Sequence, residues 1–133
     1  MANEAVIVEL LGDAGDPISF DVADAATIEK GTILKLSGDR TAIASSGLDV
    51  FAGIAAAEKE ANDGATTIAA HTHGIFDLKI DDPATITLGA YVAVSGANLI
   101  RTAVEADFPA GKVIGKALEA GSDAEVIQVL IGA

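Results

Sequence analysis

An apolar residue at every second position is the feature that most constrains the fold of this chain. The pattern is clearest in Ile18-Ser19-Phe20-Asp21-Val22 and in Phe76-Asp77-Leu78-Lys79-Ile80. Because successive side chains of a strand point to opposite faces, each stretch is typical of a strand with one buried and one wet face. Only residues 23–29 and 55–61 are compatible with short helices, and both are poorly amphipathic.

Short apolar runs separated by turn residues extend this pattern along the chain. The runs cover residues 32–36, 50–57, 91–94 and 126–131, and turn signals such as Ser37-Gly38-Asp39 and Asn62-Asp63-Gly64 lie between strands. Many short strands at regular spacing indicate a barrel or a sandwich. The sequence therefore predicts an all-β fold, a small single-domain β-barrel or β-sandwich over residues 18–133.

The chain also contains an internal repeat with a period of 58 residues. Ile28-x-x-Gly31, an apolar strand and Ser37-Gly38 recur as Ile86-x-x-Gly89, an apolar strand and Ser95-Gly96. A strand centred on glycine follows each copy, first at Gly53 and then at Gly115. We expect either two equivalent half-units that close on one core or a chance recurrence of the strand–turn–strand pattern.

Composition excludes several classes of function. The 133 residues contain no Cys, which excludes disulfides and thiolate metal sites. Eight basic residues against 20 acidic ones give a formal net charge of -12, which disfavours nucleic acid or an anionic membrane as a partner. The first ten residues have no basic segment of the kind that a signal peptide carries, so we expect synthesis in the cytoplasm.

Sequence motifs for catalysis are absent. The chain has no Gly-x-Ser-x-Gly elbow and no phosphate-binding glycine loop. His71 and His73 lie two positions apart, so on one strand both imidazoles could bind a single ion, with Asp49 or Asp77 as a third ligand. A strand end just before Gly74, where exposed polar residues are ordinary, explains the pair more simply. We expect no enzyme activity, no cofactor and no metal, with His71 and His73 as the candidate ligands if an ion does bind.

The N-terminal segment differs in composition from the rest of the chain. A Gly- and Asp-rich linker, residues 12–17, separates it from the strands that follow. This predicts an arm and linker over residues 1–17, in which the segment is either an edge strand of the same sheet or an extended arm that binds a neighbouring protein. Its candidate partner-binding residues are apolar: Ala5, Val6, Ile7, Val8, Leu10 and Leu11.

The order of several segments resembles the capsid cement, or head decoration, proteins of tailed viruses. The resemblance covers residues 21–133, and its motifs are individually unspecific, so their succession carries it. The segments, in order, are Ile28-Glu29-Lys30-Gly31-Thr32-Ile33-Leu34-Lys35-Leu36, Ala42-Ile43-Ala44-Ser45-Ser46-Gly47, Asp49-Val50-Phe51-Ala52-Gly53-Ile54-Ala55, Gly74-Ile75-Phe76-Asp77-Leu78, Ile86-Thr87-Leu88-Gly89-Ala90-Tyr91-Val92 and Gly115-Lys116-Ala117-Leu118-Glu119-Ala120.

This resemblance implies a non-enzymatic protein on the outer capsid surface of a bacteriophage or archaeal tailed virus. It implies that the major capsid protein is the partner, that neighbouring capsid subunits are clamped together, and that the chain forms a homotrimer on the shell. Two alternatives remain open at this point: a small metal-dependent enzyme that uses His71 and His73, and another virion or cell-surface β-module.

Overall fold

The structure is a computed structural model that describes Ala5, Gly12 and residues 15–132. Its regular structure is almost entirely β-strand, so the predicted all-β class is confirmed, and of the two predicted architectures the sheets adopt the barrel. The strands form two closed barrels and one small two-stranded sheet. No helix among the described residues is long and apolar enough to span a membrane.

The first barrel contains five strands in the spatial order β1-β3-β2-β4-β5. Strand β1 pairs in parallel with β3, and every other neighbouring pair is antiparallel. The alternating pattern places Phe20 and Leu34 in the barrel core with Ile68 and Ala70. The strand bounds are β1 Ile18–Asp21, β2 Ile33–Gly38, β3 Thr41–Ala44, β4 Phe51–Ala55 and β5 Thr67–His71.

The second barrel repeats this arrangement in the order β10-β12-β6-β9-β8. Its parallel pair is β6 with β9, and the short strands β7 and β11 pair beside the barrel. A single 3-10 turn, Glu105–Asp107, lies between β9 and β10. The strand bounds are β6 Gly74–Ile80, β7 Thr85–Ile86, β8 Tyr91–Gly96, β9 Leu99–Thr102, β10 Val113–Ala117, β11 Gly121–Ser122 and β12 Val126–Ile131.

The 58-residue repeat of the sequence is reproduced in the strand register. The β2–β3 hairpin pairs Leu34 with Ala44, and the β8–β9 hairpin pairs Val92 with Thr102, each exactly one repeat later. The register shift after Leu36 recurs after Val94. The repeat therefore encodes two copies of one five-stranded unit.

The expectation that both half-units would close on one core is wrong. Each half contains a complete set of five strands, and the parallel pairs β1–β3 and β6–β9 close each set on itself. The barrels nevertheless pack together, because Ile33 and Ile54 of the first barrel belong to the same apolar cluster as the core of the second.

The two helix-compatible stretches do not form helices. Residues 23–29 and 55–61 are turns and extended chain, and Ile28 in one forms an antiparallel bridge with Lys59 in the other. Long-range pairing thus satisfies the backbone groups that a short helix would otherwise have used.

Candidate interaction surface

The histidine pair lies in the connection between the two barrels. His71 ends β5 and is half-buried, with its ring 5.7 Å from the ring of Phe76, whereas His73 is exposed at a bend. Because the strand ends at His71, the alternation that would aim both imidazoles at one ion does not continue to His73. Among the described residues, no three His, Cys, Asp or Glu side chains are grouped closely enough to hold a metal ion.

The predicted arm falls mostly outside the described residues. Of its candidate contacts only Ala5 is described, and it is exposed; Val6, Ile7, Val8, Leu10 and Leu11 lie outside the described residues. The structure therefore leaves the role of this segment as a prediction.

A cluster of exposed apolar side chains on the second barrel was not predicted. Tyr91 at the start of β8 is 41% exposed, Val104 is 58% exposed and Phe108 is 50% exposed. The rings of Tyr91 and Phe108 meet edge to face with their centroids 5.4 Å apart. We call these three residues the aromatic patch. Exposed aromatic and apolar groups that lie together on a protein surface mark interaction sites.

An ion pair beneath the patch holds its loop in place. The guanidinium of Arg101 donates two hydrogen bonds to the Asp107 carboxylate, at 2.6 and 3.0 Å. The same carboxylate accepts the backbone N–H of Val104 at 2.7 Å, so it ties the start of the loop to β9. Because Arg–carboxylate bonds of this paired form are strong and directional, the loop that carries Val104 and Phe108 is fixed in position.

The electrostatics of Asp107 follow from this arrangement. The hydrogen bonds from Arg101, together with the N–H of Val104 and against the opposing effect of burial, lower the pKa of Asp107 to about 2. Only 5% of Asp107 is exposed, so the pair is shielded from solvent.

We expect Asp107→Asn to destabilise the protein by about 1–2 kcal/mol at neutral pH, because the neutral amide leaves Arg101 without its counter-ion. The depressed pKa of Asp107 means that its contribution is fully present above its ordinary pKa of 3.8 and is lost as pH falls through about 2. Urea unfolding from pH 5 to pH 2 measures this. A variant whose stability falls with acid as steeply as that of the parent would contradict the assignment.

The loop that carries the patch was detectable in the sequence only as an interruption of the repeat. Residues 45–50 connect β3 to β4, whereas residues 103–112 make the corresponding connection from β9 to β10 and include the 3-10 turn and Phe108. Ser37 and Ser95 are 58 residues apart, whereas Gly53 and Gly115 are 62 residues apart. An alignment of the two halves would show this difference as an insertion in the second half.

Comparison with solved structures finds a similar fold in a phage protein. The crystal structure of the head fiber N base of bacteriophage phi29 matches with a TM-score of 0.51 and 12% sequence identity, over 87% of this chain and 92% of that one. No protein-family model and no curated protein sequence matches the chain. At this level of identity the likeness establishes a shared fold.

Proposed function

We propose that the protein is a non-enzymatic decoration, or cement, protein that binds the outside of an assembled viral capsid. The observation that supports this most is the fold, which corresponds over nearly its whole length to the base of a phage head fiber. A head fiber base is a structural part of a virion, and the same kind of role fits a chain that lacks catalytic sequence motifs. The host is a bacterium or an archaeon that a tailed virus infects.

The proposed mechanism is bridging of neighbouring major capsid subunits. A protein that binds the assembled shell and not free subunits stabilises the shell by mass action. Many copies on one particle then add up to a large resistance to disassembly even where each contact is weak. The apolar segment of residues 5–11 is the proposed contact with the shell, and a homotrimer is the proposed form on it.

The abundance of the protein in virus particles tests this role. Mass spectrometry of purified particles from the source should find this chain at a copy number comparable to that of the major capsid protein. Its absence from intact particles would refute the capsid role, and metal content of the purified protein would then be the next measurement, because it tests the alternative at His71 and His73.

The arm is tested separately from the capsid role. We expect deletion of residues 2–11 to abolish binding to shells while the circular dichroism spectrum and the melting curve of the barrels stay unchanged. A variant of full length with Val6, Ile7 and Val8 replaced by Ser distinguishes loss of apolar contact from loss of length, and it should bind as poorly as the deletion. Binding by either variant at the level of the parent would refute the arm as the contact.

A further inference from the structure

The two barrels contact each other through different faces. The first barrel contributes Ile33 of β2 and Ile54 of β4, which lie opposite each other and are 0% and 1% exposed. The second barrel contributes the turn of its β8–β9 hairpin: Asn98 accepts the backbone N–H of Ile33 at 2.8 Å, and the carbonyl of Gly96 accepts the hydroxyl of Ser45 at 2.8 Å. We call the first surface the strand face and the second the hairpin face.

Because the barrels are copies of one unit, each face has a counterpart on the other barrel. The cross-strand pair of Ile33 and Ile54 corresponds to the cross-strand pair of Tyr91 and Lys116 on β8 and β10. Gly96 and Asn98 correspond to Gly38 and Arg40, and Arg40 shares the left-handed backbone of Asn98, with φ of 47° against 60°. The contact between the barrels therefore joins unlike faces, head to tail. The end of the 103–112 loop adds to it, because the Gly111 carbonyl accepts the backbone N–H of Phe51 at 3.0 Å.

The counterpart faces are exposed. Tyr91 and Lys116 lie on the surface where Ile33 and Ile54 are buried, and Tyr91 belongs to the aromatic patch. On the first barrel all of residues 36–40 are exposed; on the second barrel Gly96 is buried and Asn98 is exposed. A head-to-tail contact between two repeats leaves one face of each kind outside that contact, at the two ends.

We propose that a second copy of this chain docks its first-barrel hairpin face, Gly38–Arg40, on the aromatic patch of the second barrel. The contact between chains uses the same two kinds of face that join the barrels within one chain, but with other groups, because Arg40 takes the place of Asn98 and Ala103 that of Ser45. Arg40, which donates a hydrogen bond to the carbonyl of Ser19, brings a guanidinium that can stack on the rings of Tyr91 and Phe108. Such a head-to-tail contact continues from copy to copy until it closes a ring.

The charge of the chain is compatible with contact at these faces. A net charge of -12 opposes association of two copies wherever acidic surfaces meet. Both faces carry basic as well as acidic groups: Asp39, Arg40 and the neighbouring Asp21 at the hairpin, and Glu105 and Lys116 near the patch. This self-association does not depend on the proposed binding to a capsid, so each can fail without the other.

Sedimentation velocity of the full-length protein, from low to high micromolar concentration, tests the proposal. We expect species at multiples of the 13.3 kDa chain mass. Phe108→Asp removes the patch and Arg40→Glu removes the hairpin face, so each variant alone should stay a monomer. Val126→Asp, at a position 59% exposed on β12, and Lys79→Glu on β6 are the matched controls and should assemble like the parent.

Mixing the two variants gives the decisive result. A head-to-tail contact leaves Phe108→Asp with an intact hairpin face and Arg40→Glu with an intact patch, so the mixture should form a one-to-one dimer and nothing larger. A parent that stays monomeric, a Phe108→Asp variant that assembles like the parent, or a mixture that stays monomeric would each overturn the proposal. Val104→Asp replaces Phe108→Asp if circular dichroism shows that the latter does not fold.

Discussion

The variant Gly115→Ala should destabilise the protein by about 3 kcal/mol or more, the largest effect that we expect from a single methyl group. Strand β10 approaches its neighbour β12 so closely at this point that a Cβ on Gly115 would overlap the carbonyl oxygen of Leu130 and lie 2.8 Å from the Cα of Ile131. Both neighbours are backbone, so no side chain can rotate away. The strands must separate, which breaks the pairing that closes the second barrel.

The equivalent glycine of the first barrel provides a graded comparison. At Gly53 the added Cβ would lie 2.8 Å from the carbonyl oxygen of His71 and 3.0 Å from the Cβ of Ala70, so Gly53→Ala should cost less, roughly 1–3 kcal/mol. Gly47→Ala is the control, because its nearest neighbour is an Asp49 oxygen at 4.0 Å, and its effect should stay within about 0.5 kcal/mol. Denaturant unfolding measures all three. Equal stability of the Gly115 and Gly47 variants would show that the close crossing is not required.

These glycines illustrate what the sequence alone could predict. The glycine-centred strands and the 58-residue repeat were visible as a pattern, because a five-stranded unit must repeat its turns, bulges and close crossings at the same spacing. The alternation at residues 18–22 and 76–80 also fixed which side chains face inward, and Phe20 and Leu78 are indeed buried. Local rules of this kind depend on near neighbours in the chain, so a single sequence contains them.

Features that depend on contacts between distant residues were not predicted. The repeat pattern is the same for a single barrel made of two halves and for two separate barrels. These two folds differ in the parallel pairs that close each unit, and the pattern does not contain that pairing. The aromatic patch was missed for the same reason, since Tyr91 and Phe108 are separated in the chain and meet only in the folded barrel. Residues 55–61 were compatible with a helix, and the structure instead places one of them, Lys59, in a buried bridge.

The side chain of Lys59 is only 1% exposed, and its charged ammonium group forms an ion pair in this buried position. Its ammonium group forms three short hydrogen bonds, to the Asp24 carbonyl at 2.7 Å, the Glu60 carbonyl at 2.6 Å and the Asp63 carboxylate at 2.7 Å, and it also lies 3.5 Å from the Asp24 carboxylate. The three short bonds match the three N–H donors of the group. These bonds join the β1–β2 connection to the β4–β5 connection. In the first barrel Lys59 pairs with Ile28. The corresponding pair of the second barrel is Gly121 with Ile86, so the second barrel has no cation at this position.

The pKa values of Lys59 and Asp63 are both shifted by their contact. Burial lowers the pKa of Lys59, but the hydrogen bonds and charges of Asp63 and Asp24 outweigh it, and the net pKa is raised. The hydrogen bond from Lys59 in turn lowers the pKa of Asp63 to about 2, together with the backbone N–H of Ala65 and against the effect of burial. The contribution of Asp63 is therefore present above its ordinary pKa of 3.8 and is lost as pH falls through about 2. That of Lys59 is present below its ordinary pKa of 10.5 and is lost as pH rises through its higher value in the folded protein.

We expect Lys59→Met to lower the melting temperature by roughly 5–10 °C at neutral pH, because the apolar side chain fills the space but leaves two carbonyls and a carboxylate without their donor. In the parent, acid removes the stabilisation from this pair by protonating Asp63, and alkali removes it by deprotonating Lys59. The variant has no such stabilisation to lose, so its melting temperature should change less than that of the parent at both ends of the pH range. Lys79→Met, at an exposed position of β6, is the matched control and should melt like the parent. Thermal unfolding followed by circular dichroism from pH 2 to pH 11 measures both effects. If Lys59→Met melted at the temperature of the control, the buried ammonium would not be what holds the two connections together.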